Sequence, residues 1–422
     1  MRKPELLSPA GDMERLKVAF AYGADAVYLG GEAFGMRSKA GNFTLDEIEE
    51  GIKYAHSLEK KVYITVNICA HNDDLPKMEK YFQHLERLNA DAFIVTDLGV
   101  FDLAKRAAPK TDIHISTQAN TTNHAAADMW RRLGAQRVIL ARELSLNEIN
   151  EIRIKVPGME LEAFVHGSMC MAYSGRCLIS NFMNNRDANR GHCSQPCRWS
   201  YMLVEEKSGD AIPVYEDEHG AYIFSSKDLN MIAHIPDLVK AGIDSYKIEG
   251  RMKSSYYVGI VTKIYREAID DYFDDTDLYS SKILYYQSEL AKMSHREYTT
   301  GFFYGKITGE DHAYYDSEQV RIQDYLAIVD SYDESTGFCI IEQRNKFDVG
   351  EKIDIIRASG EVHTQEVKII MDENGVNISS APHPKQKIRL KVDVPVKKYD
   401  MLRRSFDCDN RGEEKDNKGS MK

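Results

Sequence analysis

Four of the chain's seven cysteines fall in one short stretch: Cys170, Cys177, Cys193 and Cys197, spaced C-x6-C-x15-C-x3-C. The other three, Cys69, Cys339 and Cys408, are scattered. Thiols gathered on a segment rich in Gly, Ser, Asn and Arg point to metal chemistry, either zinc or an iron–sulfur cluster. Structural zinc sites usually take their ligands from two tight cysteine knuckles, and only the second pair here comes near that spacing. The wide first spacing suits a larger object and favours [4Fe–4S] over zinc. Charge agrees, because Arg176, Arg186, Arg190 and Arg198 accompany the single acid Asp187 in this segment. Nearby cations offset the negative charge of an all-thiolate cluster. Four unligated structural thiols are the plain alternative.

The elements that must hold this segment are written in the chain's periodicity. Short β-branched runs at 5–8, 26–29, 62–67, 92–96, 113–117, 137–141, 161–165 and 245–248 alternate with stretches in which apolar residues recur every three or four positions. Thr44 with Glu47, and Ser145 with Glu148, have the spacing of a capping box. Eight strands separated by helices predict a (β/α)8 TIM-type barrel. A doubly wound open sheet is the competing architecture, but no G-x-G-x-x-G follows the first strand. The connection after the seventh strand is far longer than the others and carries all four cysteines, which predicts a Cys-rich insertion over 167–240. Within it, the stretch beginning DLNMIAHIPDLVKAG reads as a helix.

Active sites in such barrels lie at the C-terminal ends of the strands. Those ends present Glu32, Arg37, Asn67, His71, Asp97, Gln118, Asn120, Arg142, Glu143, His166, Lys247, Glu249 and Arg251. Alternation puts Lys247 and Glu249 on the barrel side of Ile248, and Ser116, Gln118 and Asn120 on one common face. At any one position, a residue that merely closes the barrel top competes with a substrate role.

Bulk properties set the frame. A chain of 422 residues, 43% hydrophobic and 29% charged, has ample length for two or three globular domains. No apolar run reaches the roughly 18 to 20 residues of a membrane-spanning helix, and the opening MRKPELLSPAGD lacks the apolar stretch of a signal peptide. A cytoplasmic protein is expected, where thiols stay reduced and disulfides are a poor account of the cysteines. The net charge of −11 does not advertise nucleic acid.

The C-terminal third is the exception. Beyond a helical linker at 271–323, short strands over 324–405 resemble the small β-barrel of translation factors, and 406–422 reads as a disordered tail. Residues 385–404 hold eight Lys or Arg against two Asp, a local +6. Lys385, Lys387, Arg389 and Lys391 form a candidate phosphate-facing stripe, against the plainer reading of lysines guarding an edge strand.

Residues 162–180, E-A-F-V-H-G-S-M-C-M-A-Y-S-G-R-C-L-I-S, resemble the signature of peptidase family U32, as do ELLSPAG, DAVYLGG, GHCSQPCR, SSKDL and KIEGRMKS. The resemblance covers the whole chain. It implies a [4Fe–4S] cluster on Cys170, Cys177, Cys193 and Cys197, and oxygen-independent hydroxylation of tRNA, ribosomal RNA or a quinone precursor. The branch with a barrel and a C-terminal β-domain helps to make 5-hydroxyuridine at the tRNA wobble position and depends on prephenate. On that reading tRNA is the partner and a shorter U32 paralogue is a possible second one. Arg37, Arg142, Lys247 and Arg251 would bind the anionic cosubstrate, with Asn67, Gln118 and Asn120 beside them, and His71, His166 and Glu249 would transfer protons. The family's collagenase-like peptidase label is the rival, weakened by the absence of H-E-x-x-H and G-x-S-x-G motifs. A non-catalytic RNA-binding or electron-transfer partner is the third reading.

Overall fold

A computed structural model describes residues 2–35, 42–170, 172–198, 202–204, 211–213, 227–305 and 324–405. The chain divides into two compact units, Met1–Val320 and Arg321–Lys422.

In the first unit, eight parallel strands close on themselves. They are β1 (Glu5–Pro9), β2 (Ala26–Gly30), β3 (Lys61–Val66), β4 (Ala92–Val95), β5 (Asp112–Ile115), β6 (Arg137–Ile139), β7 (Glu160–Ser168) and β8 (Ser245–Ile248). Each pairs with the next in parallel, and β8 joins β7 to β1. Around them lie α1 (Met13–Ala21), α2 (Leu45–Ser57), α3 (Leu75–Arg87), α4 (Leu98–Ala107), α5 (His124–Leu133), α6 (Leu146–Lys155), α7 (Ile235–Ala241) and α8 (Ser255–Asp274). Side chains cap the helix starts where the sequence places them: Asp12, Thr44, Asp97, Asn123, Ser145 and Ser254 each accept a backbone N–H of the first turn. Thr44 and Ser145 form full capping boxes. The predicted (β/α)8 barrel is the observed fold.

Charges fill the barrel interior in pairs. Arg137 bonds Glu5 at 2.6 Å and Glu162 at 3.0 Å, and Lys247 bonds the other Glu162 oxygen at 2.7 Å. Tyr63 donates to Glu5 at 2.6 Å. Buried ions demand such pairing, because removing one partner leaves the other uncompensated.

Three local departures from the predicted elements bear on the site. The strand predicted over 113–117 ends at Ile115, and Thr117–Ala119 forms a 3-10 turn with Asn120 left-handed at φ 53°. β7 runs on to Ser168, because Asp228–Asn230 pairs antiparallel with its last residues. Those three residues, read as the start of a helix, are thus a strand, and α7 begins only at Ile235, with a proline in its first turn. Asn230 caps the intervening turn by accepting the Ile232 N–H. Finally, α8 continues the barrel layer through Asp274, and the chain breaks at Asp275 before the helix Thr276–Ala291 packs back on it.

The second unit is an antiparallel sheet of eight strands whose first and last do not pair, a half-barrel. Leu326, Val329, Ile341, Phe347, Ile353 and Leu390 make its core. Cys339 belongs to that core, where burial pushes its thiol up to about 12. Among the described residues, no helix is long and apolar enough to cross a membrane.

Candidate functional site

A cavity of about 140 Å³ opens at the C-terminal mouth of the barrel, and Cys170, Cys177, Cys193 and Cys197 all line it. Asn67, Gln118, Arg142, Lys247, Glu249 and Arg251 line the same cavity. Barrel strand ends and insertion therefore share one site.

Specific contacts hold the cysteine segment over the mouth. Asn120 donates to the Ser174 carbonyl at 3.1 Å and accepts from Arg176 Nε at 2.9 Å. Arg190 bonds Asp74 and the Cys69 carbonyl, and the Cys69 N–H donates to the Asn189 carbonyl. Gly175, at φ +73°, lies so close to Gln118 that an added Cβ would meet that side chain at 3.0 Å. Only glycine takes that backbone and that approach without strain. The Gln195 N–H donates to Cys193 Sγ at 3.4 Å, the kind of bond that stabilises a ligating thiolate.

Four thiols lining one cavity are a donor set of the kind that holds zinc or an iron–sulfur cluster. Among the described residues, no three Cys, His, Asp or Glu side chains converge closely enough to hold one metal ion.

The cations at the mouth are each anchored. Lys247 is held by Glu162 and lies 4.4 Å over the Tyr28 ring, itself fixed by a bond from its hydroxyl to the Ile248 carbonyl. Arg251 Nη1 donates to Thr65 at 3.1 Å and Nη2 to Asn42 at 2.9 Å. Arg142 lies 3.9 Å over Phe164 and donates to the Ser168 carbonyl at 2.9 Å and to Glu249 at 3.3 Å. Its Nε is buried, with no hydrogen-bond partner among the described residues. Glu249 is pressed into place by Gly167, at φ +108°, where a Cβ would meet the Glu249 carbonyl at 2.5 Å.

Other predicted site residues fall elsewhere. Arg37 lies outside the described residues. His71 is exposed, its N–H bound to Asp74, and does not line the cavity. His166 is 1% exposed and packed against Tyr257, Tyr265 and Tyr298. The β7–β8 register jumps from Phe164 opposite Lys247 to His166 opposite Ile248. That bulge sends His166 to the helix side with Ile248, and a proton-transfer role at the mouth does not fit it. Asn120 anchors the insertion rather than lining the cavity, because the 3-10 turn ends the strand alternation before it. Sequence reasoning missed Thr65 and Glu162, which bond Arg251 and Lys247. Thr65 sits on the Tyr63–Asn67 alternation, and Glu162 opens the quoted signature, so both had a signal.

The basic strand of the second unit, Lys387–Lys391, alternates buried Ile388 and Leu390 with outward Lys387, Arg389 and Lys391. Lys387 pairs with Asp330 at 3.2 Å, and Lys391 bonds the Thr336 carbonyl. Lys385 sits just before the strand at φ 64°. Later cations turn away from any stripe: Arg403 is buried against Asp354, and Arg404 pairs with Glu351.

Peptidase family U32 matches residues 11–313, and the peptidase family U32 C-terminal domain matches 321–403. The chain belongs to peptidase family U32. Among its U32 relatives, tRNA hydroxylation protein P1 of Bacillus subtilis is 40% identical over 403 residues, 96% of this chain and 95% of that one. tRNA hydroxylation protein P of Escherichia coli is 38% identical over 86% of this chain and 88% of that one. The protein of the same name from Helicobacter pylori is 45% identical over 72% of each.

Proposed function

We propose that this U32 protein is a tRNA hydroxylase, or the essential subunit of one. It would carry a [4Fe–4S] cluster on Cys170, Cys177, Cys193 and Cys197 and make 5-hydroxyuridine at the wobble position, with prephenate as cosubstrate. The observation that carries this reading is that four thiols and three anchored cations line one cavity, in a chain whose relatives are tRNA hydroxylation proteins. When bound, the cluster would supply electron transfer without O2.

The chain's own residues have separable tasks. Arg142 Nε is a buried donor without a partner among the described residues, and an orphan of that kind costs about 1–3 kcal/mol until a ligand satisfies it. A carboxylate of the cosubstrate is the natural acceptor, with Arg251 and Lys247 lending positive potential from fixed positions. Tyr28 and Phe164 wall the cavity with apolar surface that excludes water and strengthens these interactions. Glu249, tied to Arg142, is the titratable carboxylate at hand to take or return a proton as the anion displaces it from the guanidinium. Asn67 and Gln118 offer amides for orienting substrate. Among the described residues no histidine lines the cavity, so an imidazole-based hydrolytic constellation is not assembled there.

The test is mass spectrometry of tRNA nucleosides from cells lacking the gene and complemented with wild type, Cys170→Ala or Arg142→Met. Loss of 5-hydroxyuridine derivatives in the deletion and in both variants is expected. An unchanged nucleoside profile in the deletion would overturn the reading.

A further inference from the structure

The insertion exposes large apolar side chains next to the cavity. The helix Ile179–Asn184 leaves Phe182 90% exposed, and Leu178 just before it is 70% exposed. Tyr173, 48% exposed, lines the cavity and yet faces solvent, so it stands at the rim. Ile179 also lines the cavity, one turn before Phe182 on the same short helix. An isolated exposed apolar residue needs no explanation, but several within ten residues of one cavity-lining segment are the composition of an interaction site.

Its cations select the partner. Arg176 is exposed, anchored to Asn120 through Nε. Arg186 is half-buried and adjoins the helix. Between Cys170 and Arg198 the single acid is Asp187, which accepts the Asn189 N–H. Exposed aromatic rings flanked by arginines, with no acid between Tyr173 and Arg186, match the recognition of single-stranded nucleic acid, in which rings stack on bases and guanidinium groups meet phosphates. A protein partner would not require this excess of positive charge.

We propose that Phe182 and Tyr173 form a stacking platform for unpaired RNA bases, with Arg176 and Arg186 on the adjoining phosphates, and that it delivers the target nucleotide to the cavity. The inference rests on the tRNA reading above and adds the place where the loop is held. A uridine inside a stacked loop cannot reach a barrel mouth, and its neighbours must be splayed out and held for it to enter. Tyr173 at the rim and Phe182 beyond it would hold successive bases.

The experiment measures binding of the full-length protein to a uridine-containing RNA stem–loop and to a blunt RNA duplex of the same length. Phe182→Ala should weaken stem–loop binding about tenfold and leave duplex binding unchanged. Phe182→Trp should restore it, because any aromatic face stacks. Arg186→Gln should lower the salt dependence by about one phosphate contact. Wild-type-like stem–loop binding by Phe182→Ala, from a protein that still restores 5-hydroxyuridine in cells, would overturn the platform and leave the tRNA reading standing. A shift in oligomeric state with RNA binding unchanged would reassign the patch to protein contact. If wild type neither binds the stem–loop nor restores the nucleoside, the tRNA reading itself falls.

Discussion

Arg142 and Glu249 meet at 3.3 Å across the barrel mouth, from the ends of β6 and β8. The pair closes one side of the cavity that the four cysteines line. The Arg142 side chain is 8% exposed and that of Glu249 19%, so the contact is only weakly screened. On the proposed reading, an anion bound at Arg142 Nε would lie on the same guanidinium as Glu249, so its binding and the charge of Glu249 would be coupled.

The cysteines make the first prediction. Protein purified without oxygen should contain iron and sulfide near about four each per chain. Replacing any one of Cys170, Cys177, Cys193 or Cys197 by Ser should lower both. Stoichiometric zinc in a colourless protein would sink the cluster assignment.

The pairing of Lys247 with Glu162 makes the second. Glu162 is fully buried, so Lys247→Met leaves its carboxylate bonded to Arg137 and stripped of its lysine partner. A loss of about 3 kcal/mol in denaturant unfolding is expected, with Lys247→Met plus Glu162→Gln recovering part of it. If the double variant is no better than the single, the two residues are not energetically coupled.

A third prediction concerns acid. Burial holds the His166 imidazole neutral, with a pKa of about 3 against an unfolded value near 6.5. The unfolded chain therefore takes up a proton below about pH 6.5 that the folded chain refuses until about pH 3. This contribution is complete above the unfolded value and is lost as pH falls. His166→Phe should remove about 2 kcal/mol of the decline between about pH 7 and about pH 5. Equal pH slopes for variant and wild type would show that His166 is not the group responsible.

The basic strand supplies the fourth. Asp330 offsets Lys387 and also pairs with Lys398, whereas no acid pairs with Arg389 among the described residues. Arg389→Gln should therefore weaken tRNA binding more than Lys387→Gln and reduce the salt slope by about 0.7 to 0.9. Identical salt titrations for wild type and a variant neutralised at Lys385, Lys387, Arg389 and Lys391 would dismiss the stripe.

The barrel was legible because eight β-branched runs and the helices between them obey different periods, and the cysteine segment because its spacing is unusual. Legibility failed where local geometry broke a period. Strict alternation would carry β7 from Phe164 to an inward His166, but the bulge beside Val165 turns the imidazole to the helix layer. Likewise the alternation through Ser116 and Gln118 stops at a 3-10 turn, which makes Asn120 an anchor for the insertion. Residues 228–230 have helix-compatible composition, yet the free edge of a lengthened β7 recruits them as a strand. Glu162 escaped notice because an acid inside a barrel strand matters only once Arg137 and Lys247 are seen on either side of it.

The pairing of Ser168 with Asp228 has an evolutionary consequence. The excursion that carries the cysteines departs and returns at adjacent, hydrogen-bonded positions on one strand tip. Closing a loop between neighbours costs little more when the loop grows, roughly 0.6 kcal/mol for each doubling in length. Residues between those two positions can thus be lengthened, shortened or exchanged with small effect on barrel closure. The barrel acts as a socket whose closure does not depend on the length of what is plugged into it.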